Sequence, residues 1–179
     1  MKSALFIGRF QPFHKGHLEV IKEILKENDR VIIAIGSAEN SFLPENPMTA
    51  SERFQIIDEC LKEAKISSEK YRIIPIRNIN NYYLWFEHVN TYVPPYDTVY
   101  TGSEIVKACY IGKKIKIKNL KRKFEVSATK VRKAILENDK WEHYVPKACA
   151  DLIKKFKIPA RIKIIQHTMD QTKYNNSSF

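Results

Sequence analysis

Residues 3–17 read SALFIGRFQPFHKGH, an apolar run followed by a short loop and the start of a second apolar pattern. The run Ser3–Gly8 is almost continuously apolar, as expected for a strand that is buried on both faces of a parallel sheet. Beyond the loop, Leu18, Ile21 and Leu25 recur with the spacing of an amphipathic helix. This stretch therefore predicts a strand, a loop and a helix, which together open an α/β fold.

The rest of the chain repeats this alternation of β-rich apolar runs and segments with helical periodicity. Further strands are predicted at residues 30–36, 71–77, 97–102 and 114–118, and further helices near residues 49–64, 82–92, 103–111, 127–138 and 146–156. Five strands that alternate with helices predict a Rossmann-like, doubly wound parallel sheet with helices on both faces. In such sheets ligands bind beyond the carboxyl ends of the strands, where the strand order reverses.

The second helix has a distinct start in the sequence. Thr49 and Glu52 have the spacing of a capping box, in which each side chain bonds the backbone N–H of the other residue. The apolar positions that we expect to face the core are Phe54, Ile57, Leu61 and Ala64.

Two of the predicted strands have features of sheet edges. Pro75 lies in the third strand and cannot donate a ladder hydrogen bond, which favours an edge or a bulge. Residues 114–118 (KIKIK) alternate strictly, as an edge strand with one solvated face would. They belong to a basic stripe, residues 113–123, that holds 7 Lys or Arg residues and no acid. The stripe is typical of a solvated edge, and a field that attracts an anionic substrate is the functional alternative.

Composition restricts the class of protein. The 179 residues are 44% hydrophobic, which fits one domain, expected at residues 1–168, followed by a flexible polar tail at residues 169–179. The sequence contains no run of 18 apolar residues and no secretory signal, so we expect no membrane span and a cytoplasmic location. Cys60, Cys109 and Cys149 are far apart and lack metal-ligand spacing, which predicts reduced thiols rather than disulfides or a zinc site.

Positive charge is concentrated in the second half of the chain. Residues 1–103 carry 12 basic and 13 acidic side chains, whereas residues 104–179 carry 19 and 7. The second half therefore supplies most of the field that an anionic ligand meets. An RNA-binding module is one interpretation of this charge. Because the sequence has no RRM, KH or zinc-finger signature, we expect no specific nucleic-acid partner.

The loop after the first strand combines residue types that suit phosphate binding. Gly8 permits close approach of the backbone, and His14 and His17, three residues apart at a helix start, share one face. A helix N-terminus attracts phosphate through its free N–H groups and its dipole. The imidazoles can donate hydrogen bonds to phosphoryl oxygens, and Arg9 or Lys15 can add charge. The alternative is a pair of capping or surface histidines beside a turn glycine.

This loop resembles the HxGH motif of the nucleotidyltransferase superfamily, and GRFQPFHKGH is most similar to archaeal nicotinamide-nucleotide adenylyltransferases. The resemblance covers roughly residues 1–157. Further segments match that family in order: IGSA at 35–38, NPMTASER at 46–53, LW at 84–85, PPYD at 94–97, YTG at 100–102 and SATKVR at 127–132.

The resemblance implies that adenylate is transferred from ATP to the 5′-phosphate of nicotinamide mononucleotide (NMN), by direct in-line attack on the α-phosphorus, to give NAD and pyrophosphate. It implies His14, His17 and Arg132 as catalytic residues. The implied ATP-binding residues are Gly8, Arg9, Phe10, His14, Gly16, His17, Thr101, Gly102, Ser127, Thr129 and Arg132. Those implied for NMN are Gly36, Ser37, Asn78 and Trp85. Phosphopantetheine, FMN and nicotinate mononucleotide stay open as alternative acceptors.

The resemblance also implies Mg²⁺ held mainly by substrate phosphates, no protein metal site, and a homo-oligomer that we expect to be a hexamer. Close relatives usually have glycine at the position of Ala128 and aspartate at that of Asn78, and some have arginine at that of Glu45. In the family the tryptophan that matches Trp85 stacks on the nicotinamide ring; the alternative is an ordinary core residue.

Overall fold

The computed structural model describes residues 1–120 and 125–176 and contains a single five-stranded sheet there. Its strands are β1 (Ser3–Gly8), β2 (Arg30–Ile35), β3 (Tyr71–Pro75), β4 (Thr98–Thr101) and β5 (Lys116–Asn119). The α-helices are α1 (Lys15–Glu27), α2 (Ala50–Glu63), α3 (Trp85–Tyr92), α4 (Glu104–Cys109), α5 (Ala128–Leu136), α6 (Lys147–Lys155) and α7 (Ile158–Asn176). All strand pairs are parallel, in the order β3-β2-β1-β4-β5, so the predicted fold class is confirmed.

The sheet separates two apolar cores, because successive residues of a strand point to opposite faces. In β1, Ala4 and Phe6 face the larger core, which lies under α1, α2, α5, α6 and α7. Leu5 faces the smaller core under α3 and α4. The strand order reverses between β1 and β4, and we therefore expect the ligand site at the carboxyl ends of these two strands.

Helix α2 begins at the predicted capping box. Thr49 Oγ1 accepts a hydrogen bond from the Glu52 N–H at 3.2 Å, and Glu52 Oε2 accepts one from the Thr49 N–H at 2.9 Å. The prediction that Phe54 faces the core was wrong, since its side chain is 40% exposed. The stripe that faces the sheet begins one residue earlier, and Phe54 points about 100° away from the start of that stripe. The buried residues are Arg53, Ile56, Ile57, Cys60 and Leu61.

Both predicted sheet edges are confirmed. Strand β3, which ends at Pro75, and strand β5, with its alternating lysines, are the two outer strands. Two lysines of the basic stripe are paired with acids from other elements: Lys118 with Glu27 and Lys113 with Glu87. Residues 121–124 of the stripe lie outside the described residues.

The three cysteines are free thiols, as predicted. Cys60 and Cys149 are buried, and Cys109 is half-buried. Burial raises the pKa of the Cys149 thiol well above its ordinary value, so this group is protonated and can donate a hydrogen bond at neutral pH.

Helix α7 was not among the helices predicted from the sequence, the last of which was residues 146–156; the flexibility expected of residues 169–179 stays a prediction. The helix continues to Asn176, and residues 177–179 lie outside the described ranges. Arg161 anchors its first turns, donating to the Glu52 carboxylate at 2.7 and 2.8 Å and to the Pro47 carbonyl at 3.1 Å. Among the described residues, no helix has both the length and the apolar character needed to span a bilayer.

Candidate active site

A cavity of about 530 Å³ opens at the carboxyl ends of β1 and β4, where the strand order reverses. Helix α1, strand β5 and the residues that precede α5 complete its wall. Most of the predicted ATP-binding residues line it: Gly8, His14, Gly16, His17, Thr101, Gly102 and Ser127. The structure therefore brings together residues that are more than 100 positions apart in the sequence.

The two histidines of the HxGH motif cap helix α1 reciprocally. His14 Nδ1 accepts from the His17 N–H at 3.3 Å, and His17 Nδ1 accepts from the His14 N–H at 3.2 Å. Their rings stack with centroids 3.6 Å apart. Because each Nδ1 is an acceptor, each neutral ring carries its proton on Nε2. The capping interpretation and the phosphate interpretation are therefore compatible, since they use different nitrogens.

Burial keeps both imidazoles neutral. It lowers the pKa of His14 to about 4. The pKa of His17 also lies well below its ordinary value, because of burial and because His14 stands beside it. At neutral pH each ring can thus offer one Nε2–H donor to an anion in the cavity without itself carrying charge.

The positions of the rings depend on a glycine and on two phenylalanines. A Cβ atom at Gly16 would lie 3.1 Å from Nδ1 and Cε1 of His14, so a larger residue would displace that ring. The rings of Phe10 and Phe13 pack against His17, with centroid distances of 4.9 and 5.5 Å. Phe10 is 2% exposed. Its ring supports His17 from behind and does not line the cavity.

The HxGH loop is also attached to the surrounding structure by contacts that the sequence analysis did not identify. The Gln11 side chain donates to the Met48 carbonyl at 2.9 Å and accepts from the Met48 N–H at 3.0 Å. The Cys149 thiol donates to the Phe13 carbonyl at 3.1 Å. These contacts attach the loop at Gln11 and at Phe13, whose side chains are 1% and 0% exposed.

The start of α5 faces two cavities. Ser127 lines the first cavity and caps the helix, its Oγ accepting from the Lys130 N–H at 3.1 Å. Thr129 and Arg132 line a second cavity of about 210 Å³. Arg132 Nη1 donates to the Gln11 carbonyl at 2.7 Å, which connects α5 to the HxGH loop.

Arg9 lines neither cavity but forms an ion pair with Glu45, which lines the second one. Arg9 Nη1 lies 2.8 Å from Glu45 Oε2, and both side chains are more than half exposed. The Arg9 guanidinium lowers the pKa of the Glu45 carboxyl, and Arg132 lowers it further. Burial and the neighbouring Arg9 lower the pKa of Arg132 in turn. The guanidinium groups of Arg9 and Arg132 therefore lie close enough to affect each other's pKa, and the Glu45 carboxylate partly neutralises their charge.

The residues predicted for NMN follow β2 and β3 and do not line the first cavity. The Gly36 N–H donates to the Gly8 carbonyl at 2.9 Å, so the ends of β2 and β1 are in contact. The Asn78 N–H donates to Glu39 at 3.0 Å. Trp85 opens α3 and is 7% exposed within the smaller core, but its buried Nε1 has no hydrogen-bond partner. Trp85 is thus a core residue by packing, and it lines neither cavity.

Arg53 is a further residue near this site, and the sequence analysis gave it no role. It is 0% exposed and donates to carbonyl groups that follow β1 and β2. The sequence did contain a signal for its burial. Arg53 lies three and four positions before Ile56 and Ile57, which places a basic residue on the apolar stripe of α2. No group of three or more His, Cys, Asp or Glu side chains in the described ranges is arranged to hold a metal ion.

Comparisons with known proteins all find nucleotidyltransferases. A family model described as cytidylyltransferase-like matches residues 5–134. A nicotinamide-nucleotide adenylyltransferase of Pyrobaculum arsenaticum is 42% identical over 166 residues, which cover 91% of this chain and 93% of the relative. An enzyme of the same name from Methanococcus vannielii is 42% identical over 162 residues, covering 89% and 92%.

Solved structures show the same fold. A bifunctional NMN adenylyltransferase/ADP ribose pyrophosphatase from Francisella tularensis superposes with a TM-score of 0.80 at 23% identity. The match covers 99% of this chain and 57% of the Francisella chain, so this chain spans little more than half of that protein.

Proposed function

Because the chain belongs to the cytidylyltransferase-like family and, within it, to the nicotinamide-nucleotide adenylyltransferases, we propose that the cavity at the ends of β1 and β4 is where it makes NAD from ATP and NMN. The observation that carries this proposal is the reciprocal capping of His14 and His17. It leaves two neutral Nε2–H donors on rings that line this cavity.

The chemistry requires charge stabilisation more than proton transfer. An oxygen of the NMN phosphate attacks the α-phosphorus of ATP, the bond from that phosphorus to the bridging oxygen breaks, and pyrophosphate leaves with the electron pair. Charge then increases on the α-phosphoryl oxygens and on the leaving group. Donors that are already fixed in place stabilise this charge without reorganising. His14 and His17 fit that role, since stacking, capping and packing against Phe10 and Phe13 restrict both rings.

The flanking groups supply charge and further donors. We assign Ser127 and the N-terminus of α5 to the triphosphate, together with Arg132, which lines the second cavity, and Arg9, which pairs with Glu45. Arg132 is a catalytic residue in this assignment and stabilises the departing pyrophosphate. Its bond to the Gln11 carbonyl orients the guanidinium toward the HxGH loop.

The NMN side is assigned to Gly36, Ser37, Asn78 and Trp85. Support comes from the contact between Gly36 and Gly8, which joins this side to the ATP side, and from the unpartnered Nε1 of Trp85. A phosphate bound beyond Gly36 would lie next to the end of β1, where the α-phosphate of ATP is expected.

The described residues form no metal cage, and we propose that Mg²⁺ arrives with ATP as part of the substrate, held mainly by the phosphates. We also propose a homo-oligomer, expected to be a hexamer, in the cytoplasm. Exposed apolar side chains such as Tyr83 (94%) and Ile111 (77%) and the free thiols are in keeping with these two proposals. Light scattering of the purified protein measures its assembly.

One experiment tests the function against its alternatives. Purified protein is incubated with MgATP and, in parallel, with NMN, nicotinate mononucleotide, FMN or phosphopantetheine, while pyrophosphate release and product mass are measured. We expect NAD and stoichiometric pyrophosphate with NMN. Pyrophosphate release with another acceptor but not with NMN would contradict the assignment, and so would no release with any acceptor.

A further inference from the structure

Arg53 is a buried cation with an unusual set of partners. Its side chain is 0% exposed, and no carboxylate in the described part of the chain lies within ion-pair distance of it. Its partners are four backbone carbonyls: Thr49 O at 3.2 Å from Nε, Arg9 O at 3.0 Å and Gly36 O at 2.9 Å from Nη1, and Ser37 O at 3.0 Å from Nη2. Carbonyl dipoles therefore take the place of a counter-ion.

The guanidinium stays charged despite its burial. Burial lowers the pKa of Arg53 to about 10, and Glu39 and Glu52 partly oppose that effect. Four of the five N–H donors of the group are used, and the planar fork presents them in fixed directions. A guanidinium can therefore hold several carbonyls at fixed separations. The ammonium group of a lysine, which is a compact point charge, does this less well.

Three of the four carbonyls belong to two segments that we assign to different substrates. Arg9 lies in the HxGH loop, and Gly36 and Ser37 lie on the NMN side. Nη1 alone bridges the Arg9 and Gly36 carbonyls. The fourth partner, Thr49, is the N-cap of α2 and attaches Arg53 to the helix that carries it.

Both segments contain a turn that needs support. Phe10 has φ of 51° and Ser37 has φ of 49°, in the left-handed region that residues other than glycine seldom adopt. Arg53 binds the peptide carbonyl immediately before each of these residues, on Arg9 and on Gly36. It therefore stabilises both turns from a single point beneath them.

We propose that Arg53 is a positioning residue that sets the separation between the HxGH loop and the NMN segment, and so the distance between the two reacting phosphates, without touching either substrate. This inference rests on the proposed function. Transfer needs the attacking oxygen and the α-phosphorus in line and near contact, and a displacement of 1 Å can cost about 100-fold in rate. A residue that fixes the spacing between the ATP site and the NMN site should therefore affect the rate of transfer more than the binding of either substrate.

The variants are Arg53→Lys, which keeps the charge but loses the fork, and Arg53→Gln, which keeps two donors without a buried charge. Ile57→Ala is the matched control, since Ile57 is also 0% exposed on α2. For each protein we measure Tm, the Kd of ATP alone, the Kd of NMN alone, and kcat with both substrates saturating. Activity is measured well below the lowest Tm of the series.

For Arg53→Lys and Arg53→Gln we expect kcat to fall by about 100-fold while each separate Kd changes by less than about threefold. Ile57→Ala should lose a similar amount of Tm and keep kcat within about twofold. If Arg53→Lys does not fold, Arg53→Gln alone decides the outcome, because it does not bury a charge.

Two results would overturn the inference. If the Arg53 variants lose Tm as the control does and keep kcat, the residue is structural only. If one Kd rises while kcat is unchanged, Arg53 serves a single substrate. Absence of NAD formation by the wild-type protein, measured in the same series, would instead reject the proposed function and is visible before any variant is compared.

Discussion

The two sides of the proposed reaction are built in different ways. On the side that we propose for ATP (the ATP side), three side chains line the cavity directly: His14, His17 and Ser127. On the NMN side the partners that the structure shows are mainly backbone groups, such as the Gly36 N–H on Gly8 and the Ser37 carbonyl on Arg53. The proposed ATP side therefore offers side-chain donors to a charged ligand. On the proposed NMN side, backbone hydrogen bonds hold the segment at a fixed distance from β1.

This difference determines what substitutions can show. On the ATP side a single side chain can be changed with its backbone contacts preserved, because capping uses only Nδ1 of each ring and leaves Nε2 for the proposed ligand contact. On the NMN side the accessible changes are in Arg53, which holds carbonyls, and in Trp85, whose ring packs in the core. The predictions below test the two sides separately.

The largest effect is expected from His17→Asn. Asn Oδ1 can take the place of Nδ1 as acceptor from the His14 N–H, but the variant lacks the Nε2–H donor. We expect kcat to fall by about 10²–10³, the usual cost of one preorganised donor, with a much smaller change in the Kd of ATP. Steady-state kinetics and equilibrium binding measure the two quantities.

His17→Ala is the matched comparison for capping. It removes both nitrogens, so we expect the same loss of kcat and an additional loss of about 1 kcal/mol of stability, which His17→Asn should avoid. A folded His17→Asn protein with near-normal turnover would show that the donor on the ATP side does not stabilise the transition state.

The next largest effect is expected on the pH dependence of the free energy of unfolding. Burial lowers the pKa of His14 from 6.5 to about 4 and also lowers that of His17, so below pH 6.5 the unfolded chain binds protons that the folded chain does not. The stability contributed by these neutral rings is complete above pH 6.5 and is lost as pH falls toward 4. Each histidine can contribute at most about 1.4 kcal/mol per pH unit in that window.

Denaturant unfolding at pH 7 and pH 5 checks this expectation in the wild type and in the His14→Asn/His17→Asn double variant. The wild type should lose more stability between the two pH values than the variant does. Equal losses would mean that the histidines of the ATP side are not held neutral by the fold.

A smaller effect is expected on the NMN side from Trp85→Phe. Phenylalanine keeps most of the packing but removes the unpartnered Nε1 and gives a weaker face for a pyridinium ring. We expect NMN binding to weaken by about 0.5–1 kcal/mol, with ATP binding unchanged. Trp141→Phe is the control, because Trp141 is equally buried (7% exposed) but belongs to the larger core. Equal changes in both variants would leave Trp85 as a core residue only.

The sequence predicted the elements whose signals are local. The strand-loop-helix at residues 3–17, the capping box of α2 and the edge position of β3 all follow from neighbouring residues, and all are present. The fold class followed from the alternation of these elements. The HxGH histidines were identified in the same way, because their spacing and their place after a strand are both visible in the sequence.

What the sequence did not predict depends on contacts between distant residues. Helix α7 lacks an apolar stripe with helical period, and it is fixed by packing on α5 and α6 and by Arg161 on Glu52. Arg53 finds its partners on Arg9 and Gly36, 44 and 17 positions away. Only the geometry of the cap shows that His14 and His17 keep their Nε2–H groups out of the capping hydrogen bonds.

The smallest effect is expected from Glu45→Gln, at the exposed margin of the ATP side. Glu45 pairs with Arg9 at 2.8 Å, and in the proposed assignment an incoming triphosphate competes with this carboxylate for the guanidinium. Removal of the charge should lower the KM for ATP by about two- to threefold at low ionic strength and leave Tm unchanged, since exposed ion pairs contribute little stability. Asp151→Asn is the control, because it removes one negative charge from an exposed pair on α6 that lies outside both cavities. With salt at 0.5 M, which is about five times the concentration that gives a 10 Å screening length, the difference between the variants should vanish. If Glu45→Gln instead raises the KM for ATP, the carboxylate orients Arg9 for the substrate, and the ATP side would then depend on charge pairs at its margin as well as on the histidines at its centre.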